Sequence, residues 1–240
     1  MLGFAGATRS AAGADEITCQ QLERQIELRC EGHPVLRYHT EVAEPPAGMS
    51  AVYRRSGFIH PIWTPSGRIV TSDFPVDHPH QHGLFAAWVR TTFQGRQVDF
   101  WNQAGGTGNV AHQRVVDLTP AGDSAGFTAE LQHLDLSAPA DSQRVLQEFW
   151  TVRCPGRAES GFLFDLESRQ SCVAEEPLLV HEYHYGGMAF RGCDAWFTTA
   201  RNAPPPCTFL TSGGLDREGG HHSRPNWVAI HGEVDGQPCG

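Results

Sequence analysis

Short runs of alternating apolar and polar residues, broken by turn-forming residues roughly every 8–12 positions, constrain this 240-residue chain most strongly. Almost no stretch carries the 3.6-residue period of an amphipathic helix. Residues 25–31 alternate, with Ile26, Leu28 and Cys30 on one side, and residues 34–40 follow a Gly-His-Pro turn as the second arm of a hairpin. Residues 110–118 and 127–136 pair around the Pro-Ala-Gly-Asp turn at 120–123. Residues 145–154 and 162–170 pair around Pro155-Gly156. In the last run Phe162, Phe164 and Leu166 face one way, and Leu163, Asp165 and Glu167 the other. Further strands are expected over residues 68–72, 84–92, 97–101, 178–185, 194–199 and 227–231. The one short helix is expected over residues 15–24. About a dozen short strands with no internal repeat predict an all-β fold, an antiparallel β-sandwich. A loose tail over residues 1–16 and one domain over 17–240 complete the expectation.

A hydrophobic content of 40 %, with thirteen Phe and six Trp, supplies a core, and the tryptophans are expected in it. The net charge of −9 and the lack of a lysine-rich run exclude nucleic acid as a partner. The seven cysteines are scattered and form no CxxC pair, which argues for reduced thiols rather than a disulfide framework or a structural zinc site. The N-terminus has no basic region before an apolar run, and no stretch nears the ~20 apolar residues of a membrane helix. A soluble, cytoplasmic protein is expected. There is no GxGxxG, no P-loop, no GxSxG elbow and no cysteine in a nucleophile context.

Thirteen histidines remain to be explained, and three of them fall at alternate positions in one block, Asp77-His78-Pro79-His80-Gln81-His82-Gly83. On an extended chain the three imidazoles would line one face in steps of about 7 Å. Imidazoles titrate near neutrality and need partners at both nitrogens, so a cluster of them asks for a reason. Three reasons are open. His80 and His82 suit acid–base work on a polyhydroxylated substrate, with Asp77 and His78 binding it. His78, His80 and His82 also suit a divalent metal ion. A polar rim bonding its own loops is the third. Two other clusters compete to complete the same site. One is His181-Glu182-Tyr183-His184-Tyr185-Gly186-Gly187 with Arg191 close behind, where Glu182 is a candidate base. The other is the glycine-rich stretch 212–227, which carries Asp216 and His221 as acid–base candidates and Arg217 and Arg224 as candidate hydroxyl binders. Arg55 and His60, just upstream, are further substrate-binding candidates, and His112 is read as structural.

YRRSGFIHPIWTPSGRIVTSDFPVDHPHQHGLFAAW, VDFWN, GTGNVAH, HYGGMAFRG and TSGGLDREGGHHSRPNWV, spread from about residue 33 to the end, resemble one bacterial family labelled PmoA or methane oxygenase PmoA. Gln81 departs from that family's more usual histidine. The resemblance implies a β-sandwich of the galactose mutarotase-like kind and a role in carbohydrate catabolism. It also implies further strands beyond residue 240, so that the chain would be truncated within its sheet. The resulting expectation is a protein that acts on, or binds, a sugar or sugar derivative in a concave sheet pocket. A His-ligated metalloenzyme and a non-catalytic carbohydrate-binding module are the alternatives. The sequence assigns neither a cofactor nor an oligomeric state.

Overall fold

The structure is a computed structural model and describes residues 16–122, 124–158, 161–198 and 206–240. Apart from Glu16, the expected tail lies outside the described residues. The chain is all-β, and every strand pairing is antiparallel.

Three strands open the main sheet: β1 (Ile17–Gln21), β2 (Gln25–Cys30) and β3 (His33–His39). β1 replaces the expected helix. The Gln, Glu, Leu and Arg residues of the 15–24 stretch favour a helix locally, but Ile17 and Cys19 are buried alternately as β1 pairs with β2, and that pairing wins over propensity. β2 turns into β3 through Glu31 and Gly32, both at positive φ, as a tight two-residue hairpin loop demands. β4 (Ile59–Ile62) and β5 (Leu84–Ala87) follow. The expected strand over residues 84–92 divides here. After β5 the chain leaves the sheet at Trp88 and re-enters as β6 (Thr91–Phe93), paired with β7 (Arg96–Val98) in a small separate sheet.

β8 (Gly108–Thr119), β9 (Ala125–Asp135), β10 (Arg144–Ala158) and β11 (Gly161–Cys172) form a four-stranded meander. β10 does not stop at Pro155-Gly156 as expected. It bulges there, its register shifting between Arg153 and Gly156, and continues to Ala158. Along β11, Phe162, Phe164 and Leu166 are half-buried, whereas Leu163, Asp165 and Glu167 are exposed, the alternation read from the sequence. β12 (Leu179–Val180) joins β6, and β13 (Gly187–Phe190) pairs with β5 to complete the six-stranded order β1-β2-β3-β4-β5-β13. A 3-10 turn, Asp194–Trp196, stands where a strand was expected over residues 194–199, and residues 68–72 form isolated bridges rather than a strand. β14 (Cys207–Thr211), β15 (Val228–Val234) and β16 (Gln237–Cys239) form the last sheet.

The six-stranded and four-stranded sheets enclose the core. Tyr38 of β3 meets Phe127 of β9 and Trp150 of β10 across it, with ring centroids 5.0 and 6.3 Å apart. Trp150, Trp101 and Trp196 are buried as expected, but Trp227 is 53 % exposed. No disulfide forms among the described residues.

One ionised cluster sits inside this core. Glu148 of β10 is fully buried. It accepts hydrogen bonds from His133 Nε2 at 2.7 Å, Trp150 Nε1 at 2.6 Å, Ser168 Oγ at 2.5 Å and Gln170 Nε2 at 2.9 Å. Burial alone would raise its pKa, but the His133 hydrogen bond and charge, with Ser168 and Gln170, outweigh burial and hold it at about 2. Gln170 also accepts from Trp88 Nε1 at 2.8 Å, which joins the meander to the point where the chain leaves β5.

Truncating Trp150 to Ala should lower unfolding stability by about 3–5 kcal/mol, because the indole is wholly enclosed and its N–H partner is left behind. Val76→Ala, at a side chain 94 % exposed, should stay within about 0.5 kcal/mol of wild type. Urea denaturation of both variants measures the contrast, and equal losses would show that the core is wrongly placed.

Candidate functional site

The histidine block is not extended. Pro75 to His78 and His78 to Gln81 close two successive turns, with the His78 N–H on the Pro75 carbonyl at 3.1 Å and the Gln81 N–H on the His78 carbonyl at 2.9 Å. Pro79 is the second residue of the latter turn, where its fixed φ fits and its missing N–H is not needed. The expected common face for the three imidazoles is therefore lost, and each has a separate environment. His78 is about half exposed, His80 is intermediate and His82 is fully buried.

His82 is an anchor. Its Nδ1 lies 2.6 Å from Asp73 Oδ1 and its Nε2 lies 3.3 Å from Gln103 Oε1. Gln103, itself buried, donates through Nε2 to the Arg54 carbonyl and to Asn109 Oδ1. Phe58, Phe74 and Phe85 surround the imidazole. With both nitrogens engaged and no exposure, His82 reaches neither a substrate nor a metal, which corrects its candidacy for both. Among the described residues no group of three or more His, Cys, Asp or Glu is placed to hold a metal ion, so His78, His80 and His82 do not converge as a ligand set. Gly83 then turns the chain into β5 at φ +46°, and a Cβ there would sit 2.1 Å from the Ile59 carbonyl oxygen. Only glycine fits.

Arg55 is corrected as well. It is 1 % exposed, donates from Nη2 to the Ala86 carbonyl at 2.8 Å and lies over the Phe85 ring, inside the sandwich rather than on a binding surface. Burial lowers its pKa to about 10, against the opposing pull of Glu148, Tyr38 and Asp73. His60 is half-buried and holds Thr71 Oγ1 at 2.9 Å through Nδ1. His112 shares a hydrogen bond with Tyr38 Oη at 3.0 Å.

Strand register creates the accessible part of the site. β13 runs against β5 with Phe190 opposite Leu84, so Arg191 falls beside Gly83, where its N–H meets the Gly83 carbonyl at 2.6 Å. The side chain then reaches the histidine block. Arg191 Nη2 lies 2.7 Å from Asp77 Oδ1, and Nη1 lies 3.1 Å from Asp77 Oδ2 and 2.9 Å from Gln81 Oε1. Asp77 Oδ2 also holds His78 Nδ1 at 2.7 Å. Burial would raise the Asp77 pKa, but hydrogen bonds from Arg191 and His78 outweigh it and hold the carboxyl at about 2, an anion at neutral pH. His78 Nε2 has no hydrogen-bond partner among the described residues.

Asp77, His78, Gln81 and Arg191 edge a cavity of 310 Å³ whose walls include Trp196, Phe197 and Phe209. Arg191 packs over the Phe197 ring at 5.2 Å. Arg217, from the glycine-rich stretch, also lines this cavity. That stretch is the tip of the β14–β15 hairpin, tied at its base by Ser212 N–H to the Trp227 carbonyl and shaped by Asp216 Oδ1 accepting from Gly219 N–H. Asp216 and His221 line an adjoining cavity, not this one.

The other candidates lie elsewhere. His80 is 5.7 Å from the His78 ring and lines neither cavity, and burial lowers its pKa to about 4. Glu182 is exposed on a segment that is not strand, where its neighbour His184 meets His222 at 5.8 Å. Arg224 is exposed and outside both cavities. Of the residues singled out from the sequence, Asp77, His78, Arg191 and Arg217 come together at this cavity, whereas Gln103, Phe197 and Phe209 were not among them. Only the final fold brings those three to the block, and no motif marks them.

A family profile matches residues 25–240, so the chain belongs to the family of unknown function DUF6807. That match carries no methane oxygenase or PmoA name. Neither the curated proteins nor the solved structures contain a match to this chain. Among the described residues, no helix is long and apolar enough to cross a membrane.

Removing the anchor should cost far more than removing the exposed imidazole. His82→Ala leaves Asp73 Oδ1 and Gln103 Oε1 without their imidazole partner beside a void and should cost about 2–4 kcal/mol. His78→Ala should leave the melting temperature within about 2 °C of wild type. Differential scanning calorimetry separates the two.

Stability should also fall on acidification. Burial lowers the pKa of His60, His80 and His112 to about 4 in the folded state, from an ordinary value of 6.5. Between those limits the unfolded chain binds more protons, so stability is lost as pH falls from 6.5 towards 4. Asp77 and Glu148, both held at about 2, add a further loss as pH falls below the ordinary carboxyl range. A melting temperature that stays level between pH 7 and pH 4 would contradict these environments.

Proposed function

We propose that this protein binds a sugar or sugar derivative in the cavity beside Asp77 and Arg191 and moves a proton on it through His78. The supporting observation is the Asp77–His78–Arg191 cluster at the edge of an aromatic-walled cavity. Sugar rings present apolar faces and a rim of hydroxyls. Aromatic walls match the faces, and a planar guanidinium with carboxylate and amide oxygens matches the rim.

The chemistry rests on one dyad. Asp77 holds His78 Nδ1, which orients the ring and steadies it when it takes a second proton. Nε2 then serves as the atom that accepts a proton from a hydroxyl or returns one to a ring or carbonyl oxygen. Arg191 keeps Asp77 ionised and directs its oxygens. Buried anchoring of His82 keeps the turn that carries this dyad in place.

A binding module without turnover is the second reading. It is favoured by the position of Glu182, which lies outside the cavity and supplies no second acid–base group to it. Calorimetry with a panel of monosaccharides, aldonolactones and sugar acids tests both. Arg191→Ala should weaken binding at least about tenfold, since it removes charge-assisted hydrogen bonds. His78→Ala should keep binding and lower turnover about 100-fold or more if the dyad is catalytic. Binding with no turnover of any bound sugar leaves the module reading, and no sugar binding at all removes both.

A further inference from the structure

The cavity beside Arg191 is open on its far side. Cys207, Phe209 and Arg217 line it, and the same three residues line a second cavity of 640 Å³ that extends to Glu218 and His221. Cys207 and Phe209 are two positions apart on β14, so strand alternation puts both side chains on one face, as a shared floor beneath the two spaces. Arg217 stands at the junction, and its guanidinium has no ion pair or side-chain hydrogen bond among the described residues. The first cavity is near the lower end of the ~300–1,000 Å³ usual for ligand sites and suits one ring. The second is about twice as large, too large to be an extension of a single-ring site.

We infer that the ligand is a glycoside of at least two rings, lying along Phe209 with its linkage at Arg217. This rests on the sugar reading above. The first ring sits by Asp77, His78 and Arg191, where the proton chemistry would occur. The second ring sits between Phe209 and the Asp216–His221 segment. The carboxylates of Asp216 and Glu218 flank that second space and repel an acidic sugar, so the outer ring is neutral or carries an amine. The donors for its hydroxyls are His221 and the free guanidinium of Arg217, and Glu218 is an acceptor.

The experiment is a length series by isothermal calorimetry on the full chain: glucose, galactose and xylose, then cellobiose, maltose, lactose and xylobiose, then the corresponding trisaccharides. Wild type is compared with Glu218→Gln and His221→Ala, both at exposed loop positions, with circular dichroism melting to check that each variant is folded. The inference expects at least one disaccharide to bind about tenfold or more tighter than its monosaccharide. It also expects that gain to shrink in both variants while monosaccharide binding is unchanged. A monosaccharide that binds as tightly as its disaccharide overturns the two-ring site and leaves the sugar reading standing. A length-dependent gain that survives both variants also overturns it, since the second ring would then lie elsewhere. Absence of binding by every sugar in the series overturns this inference together with the reading beneath it.

Discussion

A buried imidazole held at both nitrogens governs this structure. His82 gives no chemistry of its own, yet it anchors the base of the turns that carry Asp77 and His78. Its Asp73 bond closes the chain from Phe74 to Gln81 into a loop, and its Gln103 bond ties that loop to the segment between β7 and β8. A fully buried imidazole is costly unless its nitrogens are engaged, and here Asp73 and Gln103 oxygens lie against them inside an aromatic enclosure. The loop is thus pinned at its base while its tip, with Asp77 and His78, stays at the surface.

Charge inside the sandwich follows the same rule with less completeness. Glu148 has four donors from three strands and remains ionised. Arg55 shares the interior with it, uses Nη2 for one carbonyl, and leaves Nε and Nη1 without partners among the described residues. The guanidinium is retained by the opposite charges of Glu148 and Asp73 rather than by hydrogen bonds alone. Arg55 thus lies in the field of Glu148 on the meander and of Asp73, the partner of His82, although these belong to different parts of the fold.

Much of this was legible from residues in isolation. The alternation of Phe162, Phe164 and Leu166 places β11 correctly because period-2 burial is a local signal. The hairpins β2–β3 and β8–β9 follow from their turn residues. The failures are equally local in origin. The expected helix over residues 15–24 has good helix formers at its ends, but Ile17 to Gln21 in its middle pairs with β2, and that decides its state. The apolar run from Leu84 to Val89 gives no hint that Trp88 leaves one sheet before Thr91 enters another. The histidines at alternate positions suggested a strip, and the prolines at 75 and 79 turned that strip into two turns. Asp77 and Arg191 are separated by more than a hundred residues, so only the β5–β13 register could reveal that they meet.

That register has a consequence for the order in which the molecule assembles. The meander from β8 to β11 pairs each strand with its neighbour in sequence, and such local contacts form early at little entropic cost. The pairing of β13 with β5 must wait until the intervening meander is in place, because it closes a loop of about a hundred residues. A nascent chain therefore has most of its strands before it has an Asp77–Arg191 contact. The same long closure makes the Asp77–Arg191 contact the one that partial unfolding is expected to release while most of the strand pairing is still intact.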